Sequence, residues 1–345
     1  MPIRIKYLDG FRGVAILMVV FFHAFARWPG LLPYGDRYEF FFEYFVLGVQ
    51  LFFLISGFVI LMTLEKCSSF REFLLRRWLR LFPAMLVCSL VIYATSDFFY
   101  ERPAGEPDLY SLMPGLLFIE PSWLSFFLGR HISPLEGAFW SIYVEFKFYV
   151  LAGFVYFYFG RSWMMYLLVI LCTIGFLFKF GWGIESSNYV LIQKVVGTLS
   201  FHHFGWFSAG AFVYIYVKEN SFGALVCAFV MCVYSSVFYK FGDVGFTVSA
   251  MLMSFIFLIS AFSERLARFF EFRFFVFLGF ISYPLYLLHE NILVASIVKI
   301  SQLFDGYQYL YPAVPVIALC FVSYVLARYV EPNIKLVISD FVFRR

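Results

Sequence analysis

Apolar residues in this chain fall into long runs parted by short polar clusters, and the runs approach the roughly 20 residues that an α-helix needs to cross a bilayer. Ten runs fit approximately: 11–28, 42–64, 80–99, 139–159, 163–182, 196–217, 222–239, 244–262, 275–299 and 312–330. The Gly and Pro punctuation between them is local, with no long polar linker and no second composition regime. The pattern predicts an all-α integral membrane protein of about ten transmembrane helices in one bundle, with 1–345 forming a single domain. Between the third and fourth runs, 100–138 holds "LMPGLLFI" and "WLSFFLG", apolar but too short to span, and both are expected to dip into the outer interface.

Composition agrees. Of 345 residues, 63% are apolar and 14% charged, against roughly 45–50% and about 25% in soluble domains; mean hydropathy is +0.84. The net charge of +4 is no signature of nucleic-acid binding, because the cations form short clusters between spans rather than a basic stripe. Those clusters set orientation. With the N-terminus cytoplasmic, the inner side collects Arg4, Lys6 and Arg12; Lys66, Arg71, Arg76, Arg77 and Arg80; Arg161; Lys218; Arg265, Arg268 and Arg273; and Arg328, Lys335, Arg344 and Arg345, most of the 26 Lys and Arg. The 100–138 stretch carries Glu101, Glu106, Asp108, Glu120 and Glu136 against Arg102 and Arg130. Both termini are expected in the cytoplasm, with the chain in the cell (cytoplasmic) membrane. The first run lacks a small-residue cleavage site and contains His23, which marks a retained span rather than a signal peptide. Six cysteines without a CxxC pair indicate neither a disulfide framework nor a zinc site.

The candidate chemistry lies in ionisable residues inside apolar runs, which are expensive there and are functional candidates by default. In "YLDGFRGVAILMVVFFHAFARW", Arg12 and His23 are eleven positions apart; at 3.6 residues per turn and 1.5 Å rise, they share a helix face about 16 Å apart along the axis. Arg12 can hold an anion at the cytoplasmic rim while His23 acts deeper, an arrangement suited to a long ligand with a charged head and a reactive end. Asp9 can pair with Arg12 at i,i+3. In "GVQLFFLISGFVI", Ser56–Gly57 favours close helix packing, and the absence of GxSxG excludes a nucleophile elbow. Arg76, Arg77 and Arg80 in "FREFLLRRWLRLFPA" form a phosphate-binding or lipid-headgroup cluster. Glu145 in "EGAFWSIYVEFKFYV" has Ser141 and Tyr149 at i−4 and i+4 as hydrogen-bond partners. Pro284 interrupts the helical ladder before His289 in "FISYPLYLLHENI". His202–His203 lacks a third ligand at recognisable spacing, so no metal is assigned.

Together these stretches resemble the acyltransferase family 3 membrane O-acyltransferases of cell-envelope and secreted glycans, from Tyr7 to about Glu331. The family's R-x10-H pattern falls on Arg12 and His23, and "FFLISGF", "RRWLRLFP", "FWSIYVEFKFY" and "SYPLYLLHENI" follow in register. The resemblance implies a ten-span enzyme that takes acyl-CoA, commonly acetyl-CoA, as co-substrate on the cytoplasmic side, with no permanently bound cofactor, and acylates a hydroxyl of a lipid-linked or periplasmic saccharide. It implies that His23 is the essential histidine, Arg12 its paired arginine, Arg80 the arginine before the proline and Glu145 the fourth-span glutamate. The chain departs from the family pattern at Gln50, Phe146 and Lys147. Some relatives carry a fused extracytoplasmic domain; this chain ends at Arg345 without one, so the acceptor is expected to be met directly or through a separate extracytoplasmic partner.

The first functional expectation is therefore acyl transfer, with His23 as base or acyl carrier and Glu145 as catalytic residues, Arg12, Arg76, Arg77 and Arg80 binding the donor, and Asp9, Ser56, Tyr149 and His289 supporting them. All would line one wet cavity through the bilayer. The alternative is a proton-coupled transporter or flippase in which His23, Glu145 and His289 relay protons.

Overall fold

The computed structural model describes residues 5–180, 187–304 and 306–343, and every regular element among them is helical. Arg4, Arg344 and Arg345 of the orientation pattern, and the last two positions of the 163–182 run, lie outside the described residues. In chain order the helices are α1 (Lys6–Phe25), α2 (Glu39–Phe42), α3 (Gly48–Leu64), α4 (Phe70–Ala94), α5 (Leu112–Leu117), α6 (Pro121–Leu128), α7 (Trp140–Phe159), α8 (Arg161–Lys179), α9 (Ser187–Leu199), α10 (Phe204–Glu219), α11 (Phe222–Tyr239), α12 (Val244–Ser260), α13 (Glu264–Phe270), α14 (Arg273–Leu303), α15 (Ala313–Val325) and α16 (Glu331–Phe343).

Eight helical stretches among the described residues are long and apolar enough to span a membrane, or up to ten if each of two bent pairs counts as one span. This is a multi-pass membrane protein. The 196–217 run is not one helix: it holds the end of α9, a 3-10 turn at Phe201–His203 and α10. Ser200 sits between them in the left-handed region, φ 57°, an uncommon conformation for a residue with a Cβ. The 100–138 stretch forms α5 and α6, bent by 119°. Phe118 caps α5 in the left-handed conformation, and Pro121 opens α6 after an extended Glu120, as expected for a residue preceding proline. Pro284 does not end α14, which runs through it for 31 residues.

The chain divides into two compact units, one of Met1–Phe11, Val49–Arg76 and Val144–Phe272, the other of Arg12–Gly48, Arg77–Tyr143 and Arg273–Arg345. In the first, α3 and α10 pack through small residues: a Cβ on Gly57 would strike the Phe207 backbone, and one on Gly210 the Leu54 carbonyl. Between helices in hydrocarbon, such close backbone approach supplies the dispersion contacts that drive association. In the second unit, Gly13 brings α1 against α14 at Phe275. That approach sets α1 beside α14, and farther along the same two helices the chain carries His23 and His289.

Candidate active site

His23 lies near the end of α1 and is buried, as are His289, Glu290 and Asn291 on α14 and Glu136 and Arg102 on the segments between helices; none exceeds 7% exposure. Buried polar groups this close must satisfy one another, and their bonds fix the protonation of the imidazoles. His289 Nδ1 is 2.7 Å from the Tyr286 carbonyl oxygen. Because a carbonyl only accepts, Nδ1 carries the proton and neutral His289 presents a bare Nε2. His23 Nδ1 is 2.9 Å from the Val19 carbonyl, so it too is the N–H. That N–H also faces His289 Nε2 at 3.2 Å, a two-way donation that leaves the lone pair of neutral His23 on Nε2. There it meets a carboxylate: Glu290 Oε1 is 3.7 Å away.

Glu290 is seated on backbone. Its Oε2 accepts the Ala138 N–H at 2.5 Å, and both carboxylate oxygens stand 2.9 Å from where a Cβ on Gly137 would be. Glycine is therefore the residue that lets the carboxylate lie flat on the 137–138 peptide. The Tyr286 hydroxyl donates to the Ala138 carbonyl at 2.8 Å and, with its one proton so used, accepts from Ser141 Oγ at 2.7 Å. Asn291 completes the clamp: its N–H reaches Glu136 Oε2 at 3.1 Å, its Nδ2 donates to the Leu135 carbonyl at 3.0 Å, and its Oδ1 accepts the Ala104 N–H at 3.1 Å. Arg102 Nη2 donates to the same Leu135 carbonyl at 2.5 Å.

The structure brings His23 and His289 together, both of them predicted. It groups Ser56, Glu145 and Tyr149 in the other unit, where both hydroxyls donate to Glu145 Oε1 at 2.5 Å. Arg12 is half-buried on α1 with His23, and Asp9 is buried. The three arginines of α4 stand in different surroundings. Arg76 is exposed and paired with Glu72 at 2.6 Å, Arg77 is buried, and Arg80 is half-buried with its charge acting on Glu331. Lys147 donates to the Thr198 carbonyl at 2.6 Å.

Sequence reasoning missed Glu290, Glu136, Arg102 and Asn291. Glu290 had a readable signal, a carboxylate beside His289 inside an apolar run. Glu136 and Arg102 had none, since in a loop they count as ordinary outer charges; only the fold of 102–138 onto α14 buries them.

Fold and site define a multi-pass membrane protein with a buried histidine pair facing a seated carboxylate. The chain belongs to the acyltransferase family whose acyltransferase-domain profile matches residues 5–330, a membership that does not favour the transporter of the alternative expectation. It is 27% identical over 213 residues to the peptidoglycan O-acetyltransferase OatA of Listeria monocytogenes, a match covering 55% of this chain and 29% of that protein. It is also 26% identical over 149 residues to an O-acetyl transferase of Shigella phage Sf6, covering 42% and 44% respectively. The matched stretch thus spans less than half of either relative. No solved structure gives a significant match.

Proposed function

We propose that the protein transfers an acyl group, acetyl in the simplest case, from cytoplasmic acyl-CoA to a hydroxyl of a lipid-linked or periplasmic saccharide, with both termini in the cytoplasm and the chain in the inner membrane. The names of both relatives support the acetyl group, that of the Listeria protein alone supports a glycan acceptor, and the Lys and Arg pattern supports the orientation. One observation carries the mechanism: the N–H of His23 is committed to Val19 and His289, so its free lone pair is on Nε2, beside Glu290.

In this mechanism His23 Nε2 takes the proton of the acceptor hydroxyl as its oxygen attacks the thioester carbonyl. The C–S bond then breaks, and the proton passes to the departing sulfur, leaving an ester and free thiol. His289 fixes the tautomer and ring plane of His23, and Glu290 stabilises the imidazolium, the division of labour by which a base is oriented and charged partners are held ready. Arg12, three helical turns from His23, and Arg77 and Arg80 hold donor phosphates, a task suited to guanidinium forks. Glu145, held by Ser56 and Tyr149 in the other unit, is a separate candidate catalytic carboxylate. The acceptor is met directly or through a separate extracytoplasmic partner.

The test is reconstitution of purified protein in vesicles with radiolabelled acetyl-CoA outside and a saccharide acceptor. Label on the acceptor supports the reading; hydrolysis alone, or transport of unmodified saccharide, contradicts it.

A further inference from the structure

Glu136 and Glu290 are two carboxylates buried within one small cluster, each gripped by the other's neighbourhood: Glu136 by the backbone N–H of Asn291, Glu290 by the backbone N–H of Ala138. The cations that face them are few. Arg102 acts on both but spends an Nη2 on the Leu135 carbonyl, and Arg27, exposed on the chain after α1, acts on Glu290. His23 on α1 and His289 on α14 are the other titratable groups against the pair, and Tyr286 contributes a hydroxyl already committed to Ala138. Two adjacent buried carboxylates cannot both ionise at ordinary pH against so little positive charge.

We propose that Glu136 and Glu290 carry one negative charge between them, held on Glu290 beside His23, and that Glu136 is the neutral, protonated member that positions this charge. Three features decide which partner is charged. Glu290 has a backbone donor at 2.5 Å and lies 3.7 Å from His23 Nε2, the nitrogen that becomes cationic when the base takes a proton. Glu136 has the longer donor contact, 3.1 Å, and its Oε1 is buried without a hydrogen-bond partner among the described residues. An ionised oxygen left bare in that way is costly, whereas a carboxylic acid needs far less there. Burial, and after it the charge of Glu290, push the Glu136 carboxyl well above the usual carboxylate range, against the pull of Arg102.

The consequence is functional, and it rests on the reading of His23 as the base. If Glu136 ionised, a second charge would repel Glu290 from the Gly137–Ala138 peptide and displace the partner of the imidazolium. Glu136 is a positioning residue: it touches neither His23 nor substrate in its role, and acts by remaining neutral.

The experiment is infrared spectroscopy of the full-length protein in lipid at neutral pH, comparing H2O with D2O. The wild-type protein should show the isotope-sensitive C=O stretch of a protonated, buried carboxylic acid, His23→Ala should keep it, and Glu136→Gln should lose it. Because no turnover is measured, failure of the His23 mechanism leaves this test intact. A wild-type spectrum without such a band, or a band that survives in Glu136→Gln and disappears in Glu290→Gln, overturns the assignment. The wild-type and His23→Ala spectra decide the first point even if a carboxylate variant fails to fold.

Discussion

His23 Nδ1 and His289 Nε2 stand 3.2 Å apart, donor to acceptor, with each ring's Nδ1–H anchored to a carbonyl of its own helix. Replacing His289 with Ala removes the acceptor and the ring that holds His23 upright, but leaves the Val19 bond. Turnover should fall by about 10-fold, with the acyl-CoA KM unmoved, because general-base catalysis as a whole is worth about 10²–10⁴-fold and His289 supplies only its orientation. Steady-state release of thiol by purified variants measures both constants.

Glu290→Gln keeps the side chain's shape and the contact to Ala138 while deleting the charge opposite the imidazolium. It should lower kcat by about 10²-fold, the lower end of what acid–base partners contribute. Gly137→Ala tests the same seat from the other side, since its Cβ would meet both carboxylate oxygens at 2.9 Å. Its kcat should fall in the same direction; unchanged kcat in both variants would detach Glu290 from the chemistry.

Much of this was legible beforehand, and the boundary has a physical cause. Apolar run length placed the long helices, and ionisable residues within them placed His23, His289 and Glu145, because hydrocarbon makes such residues stand out. Periodicity could not show that 196–217 breaks at Ser200, where the left-handed position is filled by a serine rather than by a glycine. Nor could it show that Arg102 and Glu136, charges in a loop, are only 5% and 1% exposed. Ser141, predicted as a partner of Glu145, bonds Tyr286 across 145 positions, a pairing set by tertiary packing that a helical i,i+4 rule cannot see.

Acid–base linkage gives stability a definite slope with pH. Glu136 has a raised pKa in the folded protein, so folding favours its protonated form. Its contribution is complete below the unfolded glutamate value of about 4.3 and is lost as pH rises through the higher folded value. The Tm of the protein in detergent should therefore decline as pH is raised through that window, and Glu136→Gln should flatten the decline. A Tm that rises across the window in wild type would reverse the assigned sign.

Gly57 and Gly210 allow the close packing of α3 on α10. Gly210→Val places a side chain where the Leu54 carbonyl already lies, and overpacking of this kind costs about 1–3 kcal/mol or more. The expected result is a lower Tm and a larger detergent-exposed fraction by size-exclusion chromatography, with His23-dependent activity per folded molecule retained.

The central claim is that the Nε2 lone pair of His23 removes the acceptor's proton during acyl transfer. Its most direct test compares membranes holding wild-type or His23→Ala protein at matched abundance, supplied with acetyl-CoA, by mass spectrometry of the acceptor glycans. The account predicts acetylated glycan with the wild type and at least a 10²-fold smaller yield with His23→Ala. Equal acetylation by the two proteins would contradict it.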